Sequence, residues 1–187
     1  HGAEVQAIYG MAYRISMIIL LFISSIIPIL LREYTFANNK GGGLLGKLFL
    51  KSFNEIIFVM ITITIFTIFN LELIISIISS PDYNVYLPIY YYITVSLLFQ
   101  AIGQTVSTAF ISIGDPYRVS NIETTFSIVG LVISLLLVIP NNGTLFYMKN
   151  DIALKILFIQ ALSSLYRYRV LLKILKIKNK ILLKLIS

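Results

Sequence analysis

Five long apolar runs, residues 5–31, 48–69, 85–113, 119–139 and 151–166, constrain this chain more than any other feature. A helix rises 1.5 Å per residue, so about 20 residues cross a hydrocarbon core of roughly 30 Å. Four of the runs exceed that length and the fifth comes near it. Inside lipid there is no water to satisfy peptide groups, which leaves helices and closed barrels as the only spanning structures. The segment Ile61-Thr62-Ile63-Thr64-Ile65-Phe66-Thr67 alternates like a strand. It sits within a long uncharged run after Glu55 with no turn signal, and a lone strand there would leave its backbone unpaired. The expected fold is therefore all-α: a polytopic bundle of about five transmembrane helices over residues 1–166, followed by a basic amphipathic tail over 167–187.

Composition agrees. Only 12% of residues are charged and 58% are hydrophobic, whereas a soluble domain carries roughly 25% charged residues to face water. Cysteine is absent and the single histidine is His1, which removes thiol chemistry and histidine acid–base work from the interior. With no Ser-His-Asp set, acidic dyad or metal-ligand cluster in the pattern, neither enzymatic activity nor a cofactor is expected. No Met opens the chain, and it reads as the later part of a longer product.

The net charge of +7 sits at the ends of the apolar runs, where membrane topology is encoded. Five spans place Arg32, Lys40, Lys47, Lys51, Arg118 and seven tail cations on one side, facing mainly Lys149 on the other. That asymmetry predicts a cytoplasmic C-terminus and an external N-terminus in a multi-pass cell-membrane protein. The tail, with Arg167, Arg169, Lys173, Lys176, Lys178, Lys180 and Lys184 among Leu, Ile and Val, suits an anionic lipid surface better than nucleic acid. Residues 71–79 are too short to span and read as an interfacial piece or an extension of the second helix. The fifth helix is expected to start at the N-cap pair Asn150-Asp151.

Two motif matches resolve against function. Gly41-Gly42-Gly43-Leu44-Leu45-Gly46-Lys47 fits G-x-x-x-x-G-K, but Leu48 replaces the metal-binding Ser/Thr and no buried strand precedes it. It reads as a flexible linker. Asn142-Gly143-Thr144 is a glycosylation sequon close to the membrane on the external side.

Polar residues within the runs are the candidate functional groups. Ser96, Gln100, Gly103, Gln104 and Ser107 fall on one helical face, and Glu123, Ser127, Gly130 and Ser134 repeat the theme at spacings of 4, 3 and 4. The fifth run carries Gln160, Ser163, Ser164 and Arg167. Two glutamines have no use against lipid, so such faces either pack against other helices or line a solute path. Arg14 lies deep enough in the first run to need a partner, a cavity or a snorkelling route to water.

The stretch Ile8-Tyr9-Gly10-Met11-Ala12-Tyr13-Arg14-Ile15-Ser16, leading into a helix expected to end at Pro28, resembles the "G-x-Y-x-x-A-x-R" helix start of polysaccharide flippases. These are O-antigen-type exporters of lipid-linked oligosaccharides, related to the multidrug and toxin extrusion transporters. Glu72-Leu73-Ile74-Ile75 with Asp82-Tyr83, Ala109-Phe110-Ile111-Ser112-Ile113-Gly114-Asp115-Pro116, and Val138-Ile139-Pro140-Asn141-Asn142-Gly143 resemble further motifs of that family in the same order. Tyr9 precedes its glycine where the family's tyrosine follows, and Thr144-Leu145-Phe146 replaces the usual "G-A-A". The resemblance implies the later part of a flippase of about twelve or more helices, completed by a missing N-terminal half. It would move a polyprenyl-pyrophosphate-linked sugar through a central cavity. Arg14 would then attract the pyrophosphate, Gln100 and Gln104 would bind sugar hydroxyls, and Glu123 would border the path. The alternatives are a drug/cation antiporter of the same superfamily and a non-transporting membrane scaffold.

Overall fold

The computed structural model describes residues 2–41, 43–78, 86–138 and 145–175, with side chains from residues 6 to 136 and from 150 onward within these. The described residues form six helices: α1 (Gly2–Lys40), α2 (Leu44–Phe69), α3 (Leu71–Ile78), α4 (Leu87–Ser112), α5 (Pro116–Val138) and α6 (Leu145–Ile174). The alternating stretch at residues 61–67 is helical, as its length requires. Four helices, α1, α2, α4 and α5, are long and apolar enough to cross a bilayer. Their outer surfaces expose Ile18, Leu21, Phe58, Phe66, Leu131 and Leu136. Apolar exposure on that scale suits lipid and not water. The protein is a multi-pass helical membrane protein.

Contacts give the helix directions. Ser16 meets Thr94 and Asn38 meets the Ser112 carbonyl, so α1 and α4 run parallel. Glu123 meets Arg167 and Ser134 meets Lys155, so α5 and α6 are antiparallel. Tyr34 meets Ser52 across the turn between α1 and α2. One end of the bundle thus gathers Arg32, Lys40, Lys47, Lys51, Arg118, Arg169 and Lys173.

Several boundaries differ from expectation. Pro28 lies inside α1 rather than ending it. Pro28 has no N–H to give the Ser24 carbonyl one turn back, a single loss that membrane helices tolerate. The polar stretch after residue 31 stays helical to Lys40, so α1 is about 58 Å long at the α-helical rise. Two described glycines follow its end. Gly41 and Gly43 adopt φ of 70° and 73°, the left-handed region that favours glycine, and the Gly41 amide donates to the Asn38 carbonyl. α3 extends α2 past a break at Asn70, whose side chain donates to the Phe66 carbonyl.

α6 departs most. It starts at Leu145, ahead of Asn150-Asp151, and continues through Tyr166 to Ile174. The section assigned to a surface tail is instead held in the bundle to Ile174: Leu171 and Leu172 are buried, and the Tyr168 ring stacks on Phe53 at 4.8 Å. Asp151, Lys155, Arg167, Arg169 and Lys173 make α6 too polar to count among the four apolar spans. The rest of the tail, the sequon and the turns around Asp82 and Pro140 lie outside the described residues.

α4 is the central helix. In its spanning stretch 61% of residues are buried, against 17% in α5. Small residues make this possible: Ser96, Ala101, Gly103, Thr105, Thr108 and Ala109 are buried on α4 and let neighbouring backbones approach closely. Hydroxyls that would be stranded there fold back onto their own helix, as Thr105 does onto Ala101 and Thr108 onto Gln104.

Candidate functional site

The polar faces of α4, α5 and α6 converge on one cleft of about 370 Å³, lined by Gln100, Gln104, Glu123, Phe126, Ser127, Ile159, Gln160, Ser163 and Arg167. Helical periodicity explains the convergence. Gln100, Gly103, Gln104 and Ser107 recur at three- and four-residue steps on α4, as do Glu123 and Ser127 on α5 and Gln160, Ser163 and Arg167 on α6.

Arg167 is the centre of the cleft. Its side chain is 6% exposed, and its Nη1 donates to a Glu123 carboxylate oxygen at 2.6 Å and to Ser107 Oγ at 3.0 Å. Its Nε donates to the Ser163 carbonyl one turn back. The guanidinium rests where Gly103 has no side chain. A Cβ on Gly103 would come within 2.5 Å of Nη2 and 2.9 Å of Cζ. Glycine at 103 therefore makes room for a planar cation against the α4 backbone.

The pair is lopsided. The Glu123 side chain is 53% exposed, so the cation is fixed and desolvated while the anion faces outward. Beside them, Gln104 Oε1 is buried with no hydrogen-bond partner. A buried polar atom left unpaired costs on the order of 1–3 kcal/mol unless something else satisfies it.

Farther along the same seam, Lys155 on α6 donates to Ser134 on α5. Between the two polar contacts, Ile159 packs beside Gly130, 3.8 Å from where its Cβ would stand. Lys155 borders a mainly apolar recess of about 450 Å³ with Phe126, Val129, Ile133, Asp151 and Phe158.

Of the four residues singled out by sequence, the structure brings Gln100, Gln104 and Glu123 together and places Arg14 elsewhere. Arg14 is exposed and lines a separate recess of about 700 Å³ with Gln6, Gly10, Met11 and Ile78, and among the described residues none of α1 lines the cleft. The cation of the cleft is Arg167, which the sequence places both with Gln160, Ser163 and Ser164 and at the head of the basic tail, but not among the four pathway candidates. Its spacing from Gln160 and Ser163 was the signal that it shares their face. Comparison with models of known families, with curated proteins and with solved structures finds no match to this chain.

Proposed function

We propose that the chain is a helical bundle of a membrane transporter, a flippase that moves polyprenyl-linked oligosaccharides across the cytoplasmic membrane for polysaccharide assembly. The observation that supports it most is the cleft itself, an open polar recess with a desolvated arginine in the wall of a lipid-embedded bundle. A helix-packing scaffold would close such faces against each other. The cleft combines a cation suited to a phosphate group with the amides of Gln100, Gln104 and Gln160, which suit sugar hydroxyls. The sequence resemblance supplies the cargo class. On this reading Arg167 takes the anion-attracting role first assigned to Arg14, and the end rich in Lys and Arg faces the cytoplasm. On this reading a second helical bundle would cover the open side.

Retention of cargo tests the reading. Nanodisc-embedded protein is expected to keep a polyprenyl-pyrophosphate-linked oligosaccharide through native mass spectrometry, and to keep a sugar-free polyprenyl phosphate less well. Equal retention of a zwitterionic phospholipid would sink it. The half-exposed carboxylate of Glu123 favours a second reading, a drug/cation antiporter. Displacement of the sugar lipid by tetraphenylphosphonium, lost in Glu123→Gln, would select that alternative.

A further inference from the structure

We infer that Glu123 is a tethered plug in an anion seat built around Arg167, and that an incoming phosphate-type anion takes its place and frees α5. The inference deepens the transporter reading and rests on it for the cargo, but the seat itself stands on geometry alone.

Three observations carry it. First, the two charges are unequally held. The Arg167 guanidinium is fixed by Ser107, by the Ser163 carbonyl and by the space at Gly103, whereas its carboxylate partner is half exposed and makes no other hydrogen bond or ion pair among the described residues. A rigid, desolvated cation with an outward-facing counter-anion can exchange that anion without reorganising itself. Second, the seat has unused capacity. Glu123 takes one Nη1 donor through one oxygen, Ser107 the other and the Ser163 carbonyl takes Nε, which leaves the two Nη2 donors of a fork matched to phosphate oxygens. Gln104, whose Oε1 is buried without a partner, adjoins this space, and turning its amide would offer a further donor. Third, the tether sits on the least buried of the apolar spanning helices alongside α4. The polar ties of α5 to the bundle are the Glu123 and Ser134 contacts, beside apolar packing at Val119, Ile122, Gly130 and the Phe126–Tyr166 ring pair, so releasing Glu123 removes its one ion pair to α6 among the described residues.

The ligand chemistry is a phosphate or pyrophosphate group, free in water or at the head of a lipid. No charged group on α1 or α2 lines the cleft, so Arg167 and Glu123 are its charged groups among the described residues.

The test uses the full chain in nanodiscs with two probes, inorganic pyrophosphate and farnesyl pyrophosphate. Glu123→Gln removes the competitor's charge but keeps its shape, and is expected to tighten pyrophosphate binding about tenfold or more. Arg167→Met should abolish binding, and Gly103→Ala, which drives the guanidinium out of place, serves where that variant does not fold. The chain has no cysteine, so Phe58→Cys with Ile128→Cys gives a clean spin-label pair between α2 and α5. Their distance distribution should shift when pyrophosphate is added to the parent chain and be already shifted in Glu123→Gln. Unchanged or weaker binding by Glu123→Gln overturns the plug. Tightening for inorganic pyrophosphate alone, with no gain for farnesyl pyrophosphate, keeps the plug and removes the lipid-linked cargo.

Discussion

Two adjacent residues of α6, Arg167 and Tyr168, belong to opposite kinds of interface. Tyr168 joins a packed aromatic seam with Phe53 and Phe49, which continues to Tyr34, at centroid separations between 4.8 and 6.3 Å. Arg167 faces the open cleft against α4 and α5. One step along a helix turns the side chain by about 100°, enough to change from a sealed region to an accessible one. The difference is informative because lipid removes most of the hydrophobic drive for helices to associate. Beyond the Tyr34–Ser52 bond, the α1–α2–α6 side is held by shape, which has no alternative partner to exchange for. The α5 side adds to its packing two polar pairs, which do.

The largest effect should therefore come from the aromatic side. Phe49 is fully buried and touches Tyr34, Phe53 and Tyr168, so Phe49→Ala is expected to lower unfolding free energy by about 3 kcal/mol, the low end for such truncations because the lipid-transfer part is small. Steric trapping in bicelles would measure it. Pyrophosphate binding at the cleft should be unchanged. A matching loss of binding would show that the two regions are a single cooperative unit.

What the sequence made readable follows the same division. Run length alone dictated helices, and three- and four-residue spacing correctly grouped Gln100 and Gln104 on one face of α4 and Glu123 and Ser127 on one face of α5. The partner of Glu123 was obscured because Arg167 opens a series with Arg169 and Lys173, and a basic series at the end of a span looks like a membrane-surface tail. Burial, which distinguishes the first of these cations from the next, depends on Tyr168, Leu171 and Leu172 finding α1, α2 and α4, contacts between residues far apart in the chain. Arg14 misled for the complementary reason. Its depth in the run was evident, but which way its face of α1 turned was not.

Next in size is Gly103→Ala. The added methyl would displace the guanidinium, and overpacking of this kind costs about 1–3 kcal/mol. Because Arg167 is long and its end flexible, the lower half of that range is expected, together with loss of pyrophosphate binding. This small stability change with a large binding change is the inverse of the Phe49→Ala result. A Gly103→Ala protein that bound normally would mean the cation finds its seat by another route.

The smallest effect separates the two polar ties of α5. Lys155 and Ser134 form a hydrogen bond in a recess with little polar surface, and polar contacts between membrane helices average only about 0.6 kcal/mol. Lys155→Met keeps the length and volume of the side chain while removing the donor, so a loss near that value is expected by steric trapping. The cost is held down further because methionine suits the surrounding Phe126, Val129, Ile133 and Phe158. α5 would then remain anchored through Glu123, and its spin-label distance to α2 should stay where it is until pyrophosphate arrives. If Lys155→Met alone shifted that distance, Lys155 would be the principal tie, and the contrast between a sealed side and an exchangeable one would have to be redrawn around Ser134.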